Sequence, residues 1–322
     1  MIWYYLAAGL LSFIVAFILT KLTIPRLQRA GITGKDENKV GSPEIAEMGG
    51  IAIVAGFSAG LLLAIFFNSF FSLQLNLIYI LAAVITIHTI AFIGIVDDLL
   101  SIPQWLKAIL PLFAAVPLVA IKAAGSTIIA LPLIGAIDFG IVYILILIPL
   151  AIAVCSNLTN MLAGFNGLEA GMGMIMFATI SAIAVSKGSV EMSILSVSML
   201  GALLAFLFFN FYPAKVFPGD VGNLTIGVVL ASTVIIGNLE SVGAILMIPY
   251  VIDFFIKATN GFPHTHQDIR DGKLFPKNNK IKGFVHVVMK LFNGISERNI
   301  VLFFLAFECI FALIVFALYL RA

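Results

Sequence analysis

The sequence predicts an all-α fold: a polytopic membrane protein built as a bundle of ten transmembrane helices, with residues 1–322 forming a single domain. Three observations predict it. Hydrophobic residues make up 61% of the chain and charged residues only 11%, too few to cover a water-facing surface of this size. Apolar stretches of roughly 18 to 22 residues, each long enough to cross a ~30 Å hydrocarbon core as a helix, recur from one end to the other. The cations are segregated between alternate connections.

The expected spans are 2–21, 49–67, 76–96, 105–122, 139–156, 167–186, 190–209, 222–238, 241–258 and 299–320. Each is read as a helix because backbone polar groups have no water to bond in lipid. The first is too long, and lacks the small-residue cleavage site, for a removed signal peptide. The third ends on Asp97 and Asp98, and Lys107 opens the fourth. The segment 157–171 leads into the sixth, and FPGDVGN opens the eighth. Alternating the spans puts Lys21, Arg26, Arg29, Lys35, Lys39, Lys107, Lys215, Lys257, Arg270, Lys273, Lys277, Lys280, Lys282, Lys290 and Arg298 on one side, and Lys122, Lys187 and Arg321 on the other. Lys and Arg accumulate on cytoplasmic loops, so the first side is cytoplasmic and both termini are external. Two long cytoplasmic segments remain, about 22–48 and 259–298, and the second is the natural lid. Cys155 and Cys309 fall in or beside spans and are read as packing residues with no disulfide framework.

Polar residues at helix mouths are costly and mark function. Here they gather on the cytoplasmic side in three clusters. Asp97 and Asp98, in GIVDDLL, repel each other and meet the negative end of a helix dipole, so they call for cations, which a bound divalent metal and Lys107 would supply. The alternative is a pair of solvated acids. In NLTNMLAGFNGLEAG (157–171), Asn157 and Asn160 would share a face if helical, and Gly164 and Gly167 let backbone approach a ligand. Two competing readings are glycosylation sequons at Asn157 and Asn223, opposed by their cytoplasmic side, and a Gly167/Gly171 helix contact. In FPGDVGN (217–223), Asp220 stands at a helix N-terminus, suited to a metal-bridged phosphate or to plain capping. Oxygen ligands with no thiolate and no close histidine cage suit Mg2+ or Mn2+. That is equipment for phosphoryl transfer, and no P-loop or dinucleotide-binding fingerprint accompanies it.

These residues resemble the polyprenyl-phosphate N-acetylhexosamine-1-phosphate transferases. The resemblance covers most of the chain through GKDENK and PEIAEMGG (34–50), GIVDDLLSIPQWLK (94–107), NLTNMLAGFNGLEAG, FPGDVGN and GFPHTHQD (261–268). It implies ten helices with external termini and a Mg2+-dependent transferase. Asn160 and Asp220 are then the metal site, Phe217 stacks on uracil, Asn166 lies near the uridine, and Glu44 contacts ribose or uridine. Asp36, Asn38, Lys39, Asn157, Gly164 and Glu169 join the substrate-binding set. Lys107 contacts donor phosphate, and Asp97 and Asp98 are the acidic pair that deprotonates or positions the lipid phosphate. His264 and His266, on the late loop, are expected beside the donor pyrophosphate and sugar. NMLAGFNGLEAG is closer to the eukaryotic and archaeal GlcNAc-1-phosphate branch than to the bacterial phospho-MurNAc-pentapeptide branch. The two histidines match neither the bacterial histidine run nor the eukaryotic arginines. The implied partners are UDP-N-acetylglucosamine, a dolichyl or other polyprenyl phosphate and the membrane, with no nucleic acid and with a homodimer left open. The implied reaction opens lipid-linked oligosaccharide assembly.

Two further readings stand beside this one. A sibling enzyme would use another UDP-sugar or undecaprenyl phosphate. A secondary transporter would place polar residues near the midplane between repeats, whereas these spans are almost clean apart from His88 and Glu308.

Overall fold

The computed structural model describes residues 1–71, 73–121, 125–131, 134–263 and 265–320. His264, Lys122 and Arg321 therefore lie outside the described residues. Every apolar stretch is helical, as internal satisfaction of the backbone in lipid requires. Among the described residues, eight helical runs are long and apolar enough to cross a membrane. They are α1 (Ile2–Arg29), α2 (Gly50–Phe71), α3 (Leu77–Leu100), the run Gly140–Met161, α8 (Leu168–Ser186), α9 (Val190–Asn210), α10 (Gly219–Ile236) and α14 (Glu297–Tyr319). The run Gly140–Met161 is composite. It contains α6 (Gly140–Val142), a π-helical turn Tyr143–Leu147 and α7 (Ile148–Met161), and Pro149 withholds an amide at the junction.

Ten uninterrupted spans are not what forms. The stretch expected at 105–122 divides into α4 (Gln104–Ala114) and α5 (Val116–Ala120), with Pro111 inside the first and Pro117 opening the second. The stretch expected at 241–258 divides into α11 (Glu240–Leu246) and α12 (Ile248–Ala258), bent by 58° at the break, with Pro249 in the first turn of α12. Proline removes an intrahelical bond and crowds the preceding turn, so both breaks have a covalent cause.

Three antiparallel hairpins interrupt the otherwise helical chain: β1 (Thr33–Lys35) with β2 (Glu44–Ala46), β3 (Ile128–Leu131) with β4 (Gly135–Asp138), and β5 (Gln267–Arg270) with β6 (Lys273–Pro276). The first and third fall in the two long segments expected to be loops, and the third is followed by the short helix α13 (Phe284–Leu291).

At the centre lies α10, buried along nearly its whole length and packed against α2, α3, α7 and α9. A helix apolar all round belongs inside a bundle. Glycine permits the closest approaches: a Cβ on Gly227 would come within 2.2 Å of the Cys155 carbonyl on α7. His88 is the packed helix contact expected of it, 2.9 Å from Ser58 Oγ across the α2–α3 interface. Both cysteines are free, but Cys309 is exposed on the outer face of α14 and is not a packing residue. Glu308 is fully buried, and neither carboxylate oxygen has a hydrogen-bond partner.

Candidate active site

The sequence clusters come together at one end of the bundle, where α3, α7 and α12 end and α4, α8, α10 and α14 begin. The tight link Ser101–Pro103 between α3 and α4, with Ser101 at φ 52°, turns Lys107 back toward the acids. Lys107 is buried and forms ion pairs with both Asp97 and Asp220. Asp97 also accepts from the Ile102 amide at 2.9 Å. One of the cations expected beside the acids, Lys107, is thus in place.

Asp98 has a different partner. Its two oxygens accept from the Asp220 amide at 2.7 Å and the Val221 amide at 3.1 Å, the unpaired N–H groups that open α10. The expectation that these amides await a phosphate is corrected: a carboxylate from α3 already takes them, favoured by the positive end of the α10 dipole. Gly219 is obligatory at this junction, because its φ is 67° and a Cβ would meet Asp98 Oδ2 at 2.7 Å. Asp220 lies inside the first turn and does not cap it.

Asn157 and Asn160 belong to the last turns of α7, which shortens the expected loop to residues 162–167. Asn160 Oδ1 accepts from Asn223 Nδ2 at 3.1 Å, and Asn223 Oδ1 is buried with no partner. An orphaned amide oxygen beside Asn160 and Asp220 is a free ligand position, so the residues fit a hard divalent cation held by oxygen. Among the described residues no cluster of three or more His, Cys, Asp or Glu side chains could hold a metal ion. A cation here would draw on one carboxylate, amide oxygens and substrate phosphates.

A second network stands across the cavity. Asp36 pairs with Lys39 and accepts from Asn166 Nδ2 at 3.1 Å. Asn38 Nδ2 donates to the Gly164 carbonyl at 2.7 Å, and the Gly164 amide donates to Glu169 at 2.5 Å. Phe217 is fixed by β2, its amide donating to the Ala46 carbonyl at 2.8 Å and its carbonyl accepting from Gly49 at 2.9 Å.

Between the networks lies a cavity of about 1260 Å³. Asp36, Asn38, Lys107, Asn157, Asn160, Gly164, Glu169, Phe217 and Asp220 line it. Its apolar side is supplied by Leu112 of α4, Leu150 and Val154 of α7, and Val251, Phe254 and Phe255 of α12. Asp97, Asp98, Lys39 and Asn166 do not line it, but each is bonded to a residue that does. Glu44 is exposed, accepts from Thr33 Oγ1 at 3.0 Å and does not line the cavity. His266 is half-exposed, 3.4 Å from Glu37, and does not line the cavity, although its neighbours Thr265 and Gln267 do. Gly167, at φ 87°, serves the turn, and a Cβ there would strike Phe211.

A sequence model described as glycosyl transferase family 4 matches residues 80–238. A protein of Saccharolobus solfataricus, named as a candidate UDP-N-acetylglucosamine–dolichyl-phosphate N-acetylglucosaminephosphotransferase, is 38% identical over 95% of this chain and 94% of its own length. The chain belongs to glycosyl transferase family 4. A second relative, from Dictyostelium discoideum, is named as a UDP-N-acetylglucosamine–dolichyl-phosphate N-acetylglucosaminephosphotransferase and is 27% identical over 95% of this chain and 86% of its own. A phospho-N-acetylmuramoyl-pentapeptide-transferase of Halalkalibacterium halodurans is 32% identical over 76% of this chain and 78% of its own.

Within this glycosyl transferase 4 site the structure adds residues that sequence reasoning left out. Glu47 and Asn223 line the cavity, and Gln267 donates to Asn38 Oδ1. Lys257 pairs with Asp253 at 2.7 Å and donates to the Met161 carbonyl at the end of α7. Burial, and then the Asp98 charge, push the Glu47 carboxyl above the ordinary glutamate value. The sequence signal for Glu47 and Asn223 was their place inside the PEIAEMGG and FPGDVGN motifs. Gln267 had none.

Proposed function

We propose that this chain transfers N-acetylglucosamine 1-phosphate from UDP-N-acetylglucosamine to a polyprenyl phosphate of the dolichyl type, giving a lipid pyrophosphate-linked sugar and UMP. The observation that carries this reading is the mixed lining of the cavity. Carboxylate, amide and lysine groups suited to pyrophosphate are joined there by aliphatic and aromatic side chains of α4, α7 and α12 suited to a hydrocarbon tail. The names of the Saccharolobus and Dictyostelium relatives support the donor and the acceptor.

In the reaction an oxygen of the lipid phosphate attacks the β-phosphorus, the bond from that phosphorus to the bridging oxygen breaks, and UMP departs with that oxygen. Phosphoryl transfer of this kind depends on positioning and charge stabilisation more than on covalent help. Lys107, held by Asp97, neutralises charge on the transferring phosphate. Asp98 fixes the start of α10 and with it Asp220. Phe217 offers an aromatic face to the base, and Asp36, Asn38, Asn166 and Glu169 shape the donor side. His264 and His266 belong to the lid that closes over sugar and pyrophosphate. Asp220, Asn160 and Asn223 would hold Mg2+, or Mn2+ in its place, which when bound supplies the neutralising charge for the pyrophosphate. We read the α4–α5 and α11–α12 pairs as two further crossings, making ten, with external termini and a cytoplasmic site, on the strength of the cation asymmetry.

A second reading, a sibling activity on another UDP-sugar or on undecaprenyl phosphate, is favoured only by the likeness to the Halalkalibacterium relative. One experiment separates the two: purified protein incubated with polyprenyl phosphate and a panel of UDP-sugars, with lipids extracted and weighed by mass spectrometry. A GlcNAc-pyrophosphate lipid from UDP-N-acetylglucosamine, lost in excess chelator and in Asp220→Ala, is the expected result. Product from another sugar alone moves the assignment to the sibling, and no lipid product from any donor overturns the proposal. Undiminished turnover in chelator removes the metal.

A further inference from the structure

Glu297 is the first residue of α14, and it does not cap its own helix. That role falls to Ser296, whose Oγ accepts from the Asn299 amide at 3.4 Å. The Glu297 carboxylate, in a residue only 4% exposed, is left to accept from three donors elsewhere in the chain. The Asn166 amide donates at 3.0 Å, Lys39 Nζ at 3.2 Å and Asn38 Nδ2 at 3.4 Å.

Those donors belong to two segments with no backbone connection to each other. One is the β1–β2 connection, which contributes Asp36 and Asn38 to the cavity wall. The other is the 162–167 turn, which contributes Gly164. Each segment makes further bonds to the other, Asn38 to Gly164 and Asn166 to Asp36, but only Glu297 accepts from both with one rigid group. The residue does not line the cavity, so its action reaches a substrate through the residues it holds. A buried carboxylate bonded by three donors is a strong anchor, because removing it strands the Asn166 amide and leaves Lys39 with Asp36 as its one remaining carboxylate.

We infer that Glu297 is a positioning residue for the donor. It clamps the β1–β2 connection to the 162–167 turn, so that the polar wall is preformed before the UDP-sugar arrives. The aliphatic and aromatic lining residues of α4, α7 and α12 make no hydrogen bond to it, so acceptor binding is expected to be independent of the clamp. This inference rests on the transferase reading, with the polar wall as the donor side.

The test is steady-state kinetics of Glu297→Gln and Glu297→Ala in the full-length protein, with UMP affinity measured by calorimetry and melting temperature measured alongside. Loss of a charge-assisted bond network predicts a KM for the UDP-sugar, and a Kd for UMP, raised by roughly tenfold or more in Glu297→Ala. Glu297→Gln, which keeps an acceptor for the Asn166 amide and loses only the charge facing Lys39, should fall between parent and alanine. The KM for polyprenyl phosphate should stay at the parent value in both. If alanine does not yield folded protein, the glutamine variant alone carries the test. Parent-like donor KM and UMP affinity in the folded variants overturn the inference, as does a loss shared equally between donor, acceptor and melting temperature. A parent protein that forms no lipid product overturns the transferase reading instead, and UMP binding then decides the clamp by itself.

Discussion

Single carboxylates do different work at this site according to what each touches. Asp97 and Asp220 share Lys107, Asp98 closes the start of α10, and Glu47 faces Asp98 with burial around it and no cation paired to it. The Glu47 pKa is raised in the fold, so the fold favours its protonated form. That contribution is complete below the ordinary glutamate value and is lost as pH rises through the raised one. At neutral pH, therefore, the ionised group costs stability. Glu47→Gln removes that cost, and its melting temperature is expected to exceed the parent's at about pH 7 and to converge with it toward about pH 4. Scanning fluorimetry across that range checks it, and a pH-independent difference would assign the effect to packing alone. The acids and amides were legible one by one because each interrupts an apolar sequence. Their partners were not: Asp98 reaches α10 across 122 residues of chain, and Glu297 reaches Asn38 across 259.

Elements place these groups by close approach. Helix α10 brings Asp220 and Asn223 to the cavity only because Gly227 lets it lie against the Cys155 carbonyl of α7, with Thr159 Oγ1 bonded to the Asn223 carbonyl at 2.8 Å. A methyl group at Gly227 must push α7 and α10 apart, and such overpacking costs about 1–3 kcal/mol. Gly227→Ala should lower the melting temperature and depress turnover well beyond what the lost stability alone would cause, since Asn160 and Asn223 separate. Parent-like kinetics in a destabilised protein would show that the α7–α10 spacing does not matter to the site. Most of the apolar stretches were readable from hydropathy, but the two broken ones were not read as broken, although Pro111, Pro117 and Pro249 mark them. The hairpins escaped because three- and four-residue strands carry too little pattern to stand out.

At the scale of the whole molecule, the site, the two long polar segments and most of the cations share one end of the bundle. If that end is cytoplasmic, a cysteine introduced at Thr265, which lines the cavity, should resist a membrane-impermeant maleimide in intact cells and react once they are opened. Ready labelling in intact cells would invert the orientation. The chemistry itself is the central claim, and the position of one phosphorus atom tests it most directly. UDP-N-acetylglucosamine carrying 32P only in its β-phosphate should deliver the label to the extracted polyprenyl lipid, with unlabelled UMP as the nucleotide product. Label retained in a released UDP would mean that the sugar alone is transferred, and would contradict sugar-1-phosphate transfer at this site.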